Sequence, residues 1–318
     1  NYLGLPIALV IVAVFFIPVY YRLKVYTAFE FLEKRFDLNT RLLTAFLFLV
    51  QRGLAAGITI YAPAIILSAM LGWNLYNTII GVGILVVIYT VSGGSKAVSI
   101  TQKWQMTIIL TGMVIAFIYV IHGFPEGVGF SEALRVASGG ERLNAINFSF
   151  DIKERYTLWS GLTGGLFLAL SYFGTDQSQV QRYLGGKSVR ESKLGLMFNA
   201  LLKIPMQFFI LLLGVMVFVF YTFKEHPIIF NSPGYDKVMS VGKADSLQLL
   251  ERQHNINYVA KKHLAEKIAG DRHTPEELNK FRKLDIREQQ LRDAAVSLKR
   301  QAEEGKAAKD SDYVFLSF

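Results

Sequence analysis

The chain has 318 residues, of which 52% are hydrophobic, and it carries a formal net charge of +9. It contains no cysteine, which excludes a disulfide framework, a thiolate nucleophile and a cysteine metal site. Residues 1–223 are apolar runs joined by short loops, whereas residues 224–318 are polar and charged. This division predicts a polytopic membrane protein with a transmembrane domain, 1–223, followed by an extramembrane segment, 224–318.

Six apolar runs predict six membrane spans, because about 20 helical residues cross the hydrocarbon of a bilayer. The basic residues concentrate in the connections after the first, third and fifth runs, which are therefore expected to be cytoplasmic. This orientation makes the positive charge a topology signal, gives no indication of nucleic-acid binding, and leaves residues 224–318 outside the cell. The predicted spans are 3–21, 42–71, 78–91, 104–121, 159–178 and 194–223.

The two ends of the chain indicate an internal fragment of a longer protein. The chain begins inside an apolar run, and residues 313–318 look like the start of a further span. After the first span, Phe29, Leu32 and Phe36 recur at helical spacing opposite charged residues. That pattern predicts a short amphipathic helix on the membrane surface.

The second span contains Gln51 and Arg52. Arg52 lies about 16 Å along a helix axis from Arg41, which places it near the middle of the membrane. An arginine at that depth is costly unless it faces a watery or polar interior. We therefore predict Gln51 and Arg52 as residues of a substrate pathway. The alternative is an arginine that snorkels to the interface or pairs with an acid elsewhere.

The third and fourth spans are separated by SGGSKAVSITQK, residues 92–103, which we interpret as a loop. Gly93 and Gly94 permit a tight turn with positive φ at the end of the third span. The glycine pair lacks the flanking pattern of a phosphate-binding loop, and we predict no nucleotide site here.

The fifth apolar run ends in the polar stretch 175–179, which begins before a helix from Trp159 has left the bilayer. Asp176 and Gln177 thus fall at the inner interface. Polar groups there either face a solute or ion pathway or mark an ordinary cytoplasmic helix end, with Asp176 paired to Arg182. Both interpretations stay open on helix physics alone.

The polar segment 224–318 is predicted to be a solvated helical insert without a catalytic role. Thr274 and Pro275 begin a helix, with Glu277 placed to cap it. Leucines repeat every seven residues along that helix, which fits either a short coiled coil or a helical hairpin with residues 245–269. No metal site is predicted from His254, His263 and His273, because no two of them have i,i+4 spacing.

The chain resembles one known family, because several of that family's motifs occur here in the same order along the sequence. YFGTDQSQVQRYL (172–184) is similar to a run at the inner end of one core helix of the sodium:solute symporter family. The stretches VYTAFEFLEKRFD (25–37), GITIYAPAIIL (57–67), YTVSGGSKAVSITQKWQ (89–105) and MVFVFYTFKEHP (216–227) resemble further family segments. The similarity covers roughly residues 1–230 and is strongest to the iodide, multivitamin and monocarboxylate branch.

The resemblance implies an all-α polytopic protein with part of a LeuT-like inverted-repeat core, in which this chain holds the second to seventh core helices. It implies a multi-pass protein of the cell (inner) membrane that imports a small solute, such as an organic anion, with sodium by alternating access. The solute and Na+ would be its partners, with no cofactor and no enzymatic activity. Most sodium ligands of the family lie in helices absent from this chain. An alternative is a transporter-like sensor module of a signalling protein.

The resemblance also assigns expectations to single residues. Many relatives carry Thr-Asp where this chain has Thr101 and Gln102, so the second sodium site built on that Asp is predicted to be absent or weak. Tyr172 and Phe173 align with an aromatic pair below the solute; they would close the cavity or simply pack.

The inner-mouth candidates lie near the cytoplasmic end, where ion pairs and hydrogen bonds would hold the mouth. They are Thr101, Gln102, Asp176, Gln177 and Arg182.

Overall fold

The computed structural model describes residues 4–25, 27–144, 147–150, 157–186, 188–302, 310 and 314. These residues form α-helices and one π-helical turn, and no strand occurs among them, which confirms the predicted all-α fold. The end of the chain predicted to begin a further span, residues 313–318, lies outside the described residues except for Val314. The helices are α1 (Gly4–Ile11), α2 (Ile17–Arg22), α3 (Ala28–Arg35), α4 (Leu38–Leu71), α5 (Leu75–His122), α6 (Phe130–Gly139), α7 (Leu158–Thr175), α8 (Gln177–Leu184), α9 (Val189–Phe223), α10 (Ser232–Ser240), α11 (Ala244–Ala269) and α12 (Pro275–Ala302).

Within the described ranges, five helices are long and apolar enough to cross a membrane. They match the first four predicted spans and the sixth, which supports a polytopic membrane protein. The remaining predicted span corresponds to α7, an 18-residue helix that is not among the five. At about 1.5 Å per residue α7 is about 27 Å long, and its crossing of the membrane stays a prediction. The five are Gly4–Arg22, Leu38–Ser68, Leu75–Gly94, Ala97–His122 and Val189–Phe223.

The first span is not a uniform helix. A π-helical turn, Val12–Phe16, separates α1 from α2, and Pro18 occupies the first turn of α2. Proline is tolerated there because the first N–H groups of a helix have no intrahelical acceptor. The widened turn thus lies directly before the helix that begins at Ile17.

The loop predicted at residues 92–103 is reduced to a single non-helical residue in the structure. Within α5 only Gly94 leaves helical geometry, with φ 55° and ψ −158°, and the backbone is helical again directly after it. One glycine in a conformation that other residues rarely adopt is sufficient to kink the chain. Thr101 and Gln102 therefore lie on a helix and not in a loop.

The chain divides into two compact units, each described here by itself. The first comprises Asn1–Thr59 and Asn144–Leu211. Its core forms where α1 packs against α7: Ala8, Leu9 and Val12 are fully buried, and they belong to one apolar cluster with Ala169 and Phe173.

The second unit comprises Ile60–Leu143 and Leu212–Phe318. Its central feature is an antiparallel hairpin of α11 and α12, which confirms the hairpin alternative over a separate coiled coil. Leu291 is buried in its core, with Leu284 and Leu298 partly buried. The assignment of residues 224–318 to the outside of the cell stays a prediction.

The start of α12 has the predicted capping box. Thr274 Oγ1 accepts a hydrogen bond from the N–H of Glu277 (3.2 Å), and a Glu277 carboxylate oxygen accepts one from the N–H of Thr274 (2.9 Å). Lys267 on α11 also donates to Glu277, and these hydrogen bonds lower the pKa of Glu277 to about 2. The cap therefore fixes both the start of α12 and its pairing with the end of α11.

Charged groups lie between the two helices of the hairpin as well. Lys261 on α11 is 2% exposed and donates to Asp285 (2.6 Å) and Glu288 (2.8 Å) on α12. Burial by itself would raise the pKa of Glu288, but its hydrogen bond to His226 and the Lys261 ammonium lower it to about 2. Glu288 is thus held as a carboxylate inside the unit.

The close contact of α1 with α7 yields a stability prediction for Gly4→Ala. A Cβ at Gly4 would clash with the Leu166 backbone nitrogen and lie 2.9 Å from the Gly161 carbonyl oxygen. Because backbone atoms cannot move aside alone, we expect a loss of about 1–3 kcal/mol of stability. Gly164→Ala on α7 is the matched control, since its Cβ would meet nothing within 4 Å. Thermal unfolding of the detergent-purified protein measures both, and equal melting temperatures would contradict the predicted clash.

Candidate functional site

The polar stretch at the end of α7 is a helix break. Asp176 has an extended backbone (φ −67°, ψ 121°), ends α7 and is the N-cap of α8. Its carboxylate accepts hydrogen bonds from the N–H of Ser178 (2.8 Å) and from the Ser178 hydroxyl. Aspartate is among the preferred residues for this position because it satisfies N–H groups that have no intrahelical acceptor.

Long-range hydrogen bonds join the break to two other segments. The hydroxyl of Tyr20, at the end of the first span, donates to the Gly174 carbonyl in the last turn of α7 (2.7 Å). The buried side chain of Gln177 accepts a hydrogen bond from the N–H of Ala28, the first residue of α3 (2.7 Å). The break is therefore joined to both the first span and α3.

A second set of hydrogen bonds joins α2, α8 and the start of α9. The Tyr21 hydroxyl lies 3.0 Å from the Tyr183 carbonyl oxygen, 3.1 Å from that of Gly186 and 3.1 Å from the Ser192 hydroxyl. Ser192 in turn donates to the Tyr183 carbonyl (2.7 Å). The last turn of α8 is thus held by two hydroxyl groups from neighbouring segments.

Residues of α7, α8 and the start of α9 line an open cavity of about 310 Å³, here called the α8 cavity. The Tyr183 hydroxyl is buried and has no hydrogen-bond partner among the described residues. Burial raises the pKa of the Tyr183 phenol, which keeps this hydroxyl protonated as a donor. Of the charged side chains that line the cavity, Arg182 is exposed and can donate to water or to a small solute. The side chains used in the argument below are Phe173, Gln179, Arg182, Tyr183 and Glu191.

The predicted aromatic pair has two different environments. Phe173 is buried and lines the α8 cavity, whereas Tyr172 is 43% exposed. The Tyr172 hydroxyl accepts a hydrogen bond from the Gln179 amide (2.8 Å), and the two rings contact edge to face at 5.0 Å. Phe173 thus packs as a wall of the cavity, and Tyr172 is fixed beside it. A gating role for Tyr172 stays a prediction.

The structure brings together Tyr172, Phe173, Asp176, Gln177 and Arg182 around the break between α7 and α8. Arg182 is exposed and lines the α8 cavity. Among the described residues it forms no ion pair with Asp176, whose carboxylate instead caps α8. The sequence alternative of a local Asp176–Arg182 pair is therefore replaced by a capping interaction.

The other predicted residues lie on different helices. Gln51 and Arg52 are exposed near the middle of the 34-residue helix α4. Thr101 and Gln102 belong to the second unit, on α5. The Thr101 hydroxyl donates to the Val98 carbonyl (2.9 Å), and Gln102 is exposed.

Sequence reasoning missed the residues that hold the break in place, namely Tyr20, Tyr21, Tyr183 and Ser192. The tandem tyrosines at the end of the first span were a usable signal, because a buried tyrosine hydroxyl requires a hydrogen-bond partner. Their acceptors are backbone carbonyls more than 150 residues away, and no sequence pattern marks those carbonyls.

Comparison with known proteins gives the chain clear relatives. A family model described as "Sodium:solute symporter family" matches residues 2–247. The human sodium/iodide cotransporter is 35% identical over 222 residues, which cover 69% of this chain and 34% of that protein. The human sodium-coupled monocarboxylate transporter 1 is 39% identical over 190 residues, covering 60% and 31%. Its Xenopus laevis counterpart is 35% identical over 195 residues, covering 61% and 30%. The chain thus spans about a third of the length of these curated relatives.

The hydrogen bond of Gln177 gives a prediction for the break itself. Gln177→Leu leaves the buried N–H of Ala28 without its acceptor, which should cost about 1–3 kcal/mol of stability. Gln181→Leu, an exposed position on the same helix, should change stability by no more than about 0.5 kcal/mol. Thermal unfolding of the purified protein compares the two variants. If both melt together, Gln177 does not hold α3 to α8.

Proposed function

The chain belongs to the sodium:solute symporter family, and we propose on this basis that the protein is a sodium-coupled symporter of the cell membrane. The observation that carries the proposal is the family match over residues 2–247, together with relatives named as sodium cotransporters. Those relatives are transporters and not enzymes, in agreement with the expectation from the sequence. Inward sodium movement would drive solute uptake by alternating access in a LeuT-like core.

The solute in this proposal is a small monovalent anion, with monocarboxylates and iodide as the leading classes. The relatives reported above are named for iodide and for monocarboxylates, which share a single negative charge. Arg52 supports the same class, because a guanidinium at mid-helix favours an anion and matches the two oxygens of a carboxylate. Arg52 would therefore bind or attract the solute.

The α8 cavity would form the cytoplasmic end of the route. Arg182 is exposed and lines this cavity, so it can donate to an anion or to its hydration water as it leaves. The break at Asp176 supplies a place where α7 and α8 can change their relative direction, since element ends absorb φ/ψ changes more readily than helix interiors. Tyr172, fixed by Gln179, would close the route above the cavity in one of the two states.

Sodium-driven uptake by the full-length protein tests this function. Reconstituted proteoliposomes would receive an inward sodium gradient or an equal choline gradient, with labelled iodide, lactate, propionate and, as a neutral control, glucose. Uptake of at least one anion that requires sodium and exceeds glucose uptake supports the proposal. Equal uptake in sodium and choline for every anion would exclude it.

Arg52→Gln separates a solute role from a packing role. We expect at least a tenfold loss of anion uptake at equal surface expression, because losing a charge-assisted contact costs about 1.5–3 kcal/mol. Arg190→Gln, at an exposed position in the first turn of α9, is the matched control and should transport normally. Unchanged uptake by Arg52→Gln would remove Arg52 from the solute pathway.

The number of sodium ions coupled to uptake tests the prediction made from Gln102, which stands where many relatives carry Asp. A neutral amide supplies oxygen but lacks the charge that attracts a second cation. We therefore expect a Hill slope near one for the sodium dependence of uptake. A slope near two would show that a second sodium site exists without the Asp of the relatives.

A further inference from the structure

Two histidines and one glutamate meet in the second unit. His226 follows the end of α9 at Phe223, His254 lies within α11, and Glu288 lies within α12. Their ligand-type atoms all lie within 4.8 Å of one another. The three residues are distant in sequence, which is why helical spacing among the histidines did not reveal them.

The ring of His226 is held between two acceptors. Its Nδ1 lies 3.3 Å from the Lys224 carbonyl oxygen, and its Nε2 lies 3.1 Å from Glu288 Oε1. A histidine whose Nδ1 faces a backbone carbonyl presents Nε2 as a ligand, as in many metal sites. The side chain is 2% exposed and is therefore fixed in this orientation.

His254 supplies a second, independent observation that points to a ligand. The residue is 1% exposed, and its Nε2 has no hydrogen-bond partner among the described residues. A buried polar nitrogen without a partner carries a desolvation penalty of about 1–3 kcal/mol. A metal ion bonded to Nε2 would remove that penalty, because it accepts the nitrogen lone pair.

The surroundings favour a cation at the same place. A cavity of about 440 Å³ is lined by His226 and His254 and also by Glu225 and Glu251. The two carboxylates add negative charge, and the opening leaves room for water as a further ligand. Lys261 binds the second oxygen of Glu288 (2.8 Å) and orients this carboxylate from the opposite side.

We propose that His226, His254 and Glu288 bind one divalent transition-metal ion of the Zn2+ class, with water in the open position. Two imidazoles and one carboxylate suit Zn2+, whereas Ca2+ and Mg2+ prefer oxygen ligands alone. Bonds of about 2.0–2.1 Å place tetrahedral ligands about 3.4 Å apart, so the widest pair would close by roughly 1.4 Å. Because His226 Nε2 and Glu288 Oε1 are already 3.1 Å apart, rotation of the His254 side chain would supply that movement.

Such an ion would connect three separate segments of the second unit. It would bond the segment after α9 to both helices of the α11–α12 hairpin. An ion that binds the folded protein alone stabilises it in proportion to the logarithm of its concentration. Metal binding should therefore raise the melting temperature of the protein without any transported solute.

Metal titration of the full-length protein tests the site. Protein stripped with chelator would be titrated with Zn2+, followed by calorimetry, elemental analysis and thermal unfolding. We expect one bound ion per chain and a melting temperature that rises with Zn2+. His254→Gln should bind Zn2+ at least about 100-fold more weakly. His263→Gln, an exposed histidine on the same helix, should bind like the wild type.

Co2+ bound to the wild type provides a test that does not depend on any variant folding. Intense visible absorption of the kind given by four-coordinate Co2+, abolished by equimolar Zn2+, supports the site. Absence of a stoichiometric ion in the wild type, or a Co2+ spectrum like that of the hydrated ion, would overturn the proposal. Equal Zn2+ affinity of folded His254→Gln and His263→Gln would also overturn it.

Discussion

The break between α7 and α8 imposes the constraint on which the first unit depends. Ending one helix and starting another exposes backbone groups that have no partner within either helix. Here Asp176 accepts the N–H of Ser178 at the start of α8, and Tyr20 donates to the Gly174 carbonyl in the last turn of α7. Gln177, at the start of α8, in turn accepts the N–H of Ala28, the first residue of α3. Because those partners come from the first span and from the start of α8 itself, the break, the span and α3 form one interdependent structure. These hydrogen bonds hold α8 as a helix separate from α7, and residues of both helices line the α8 cavity.

In the second unit, charged side chains are buried between the two helices of a hairpin. Lys261 is nearly inaccessible and is acceptable only because Asp285 and Glu288 both bind it. Buried ion pairs add little net stability, but removal of one partner leaves an uncompensated charge. The network therefore specifies which turns of α11 and α12 face each other. Glu288 joins this network to His226, so the same carboxylate that aligns the hairpin also forms part of the proposed metal site.

Much of the fold followed from sequence because its signals are local. Apolar runs located the helices, and the Thr274–Glu277 capping box appeared as predicted, since both residues lie within one turn. The loop at 92–103 was overestimated, because sequence does not show that Gly94 alone makes the kink. The candidate site was found through Asp176 and Gln177, but their partners were not. Likewise, His226 joins His254 and Glu288 only through tertiary packing, which helical spacing cannot reveal.

Arg52 lies near the middle of the apolar helix α4, where a charged side chain is costly in a membrane. Its neighbours on α4, Leu54 and Ile58, are each 70% exposed, as is typical of a helix surrounded by lipid or by other apolar helices. A guanidinium at the centre of such a helix costs about 2.5–3.5 kcal/mol if it faces hydrocarbon. That cost falls when the side chain faces a hydrated pathway, and it becomes a gain in binding when an anion occupies the pathway. The proposed route for a small anion would offset this cost at Arg52, a cost that an apolar residue at the same position would not incur.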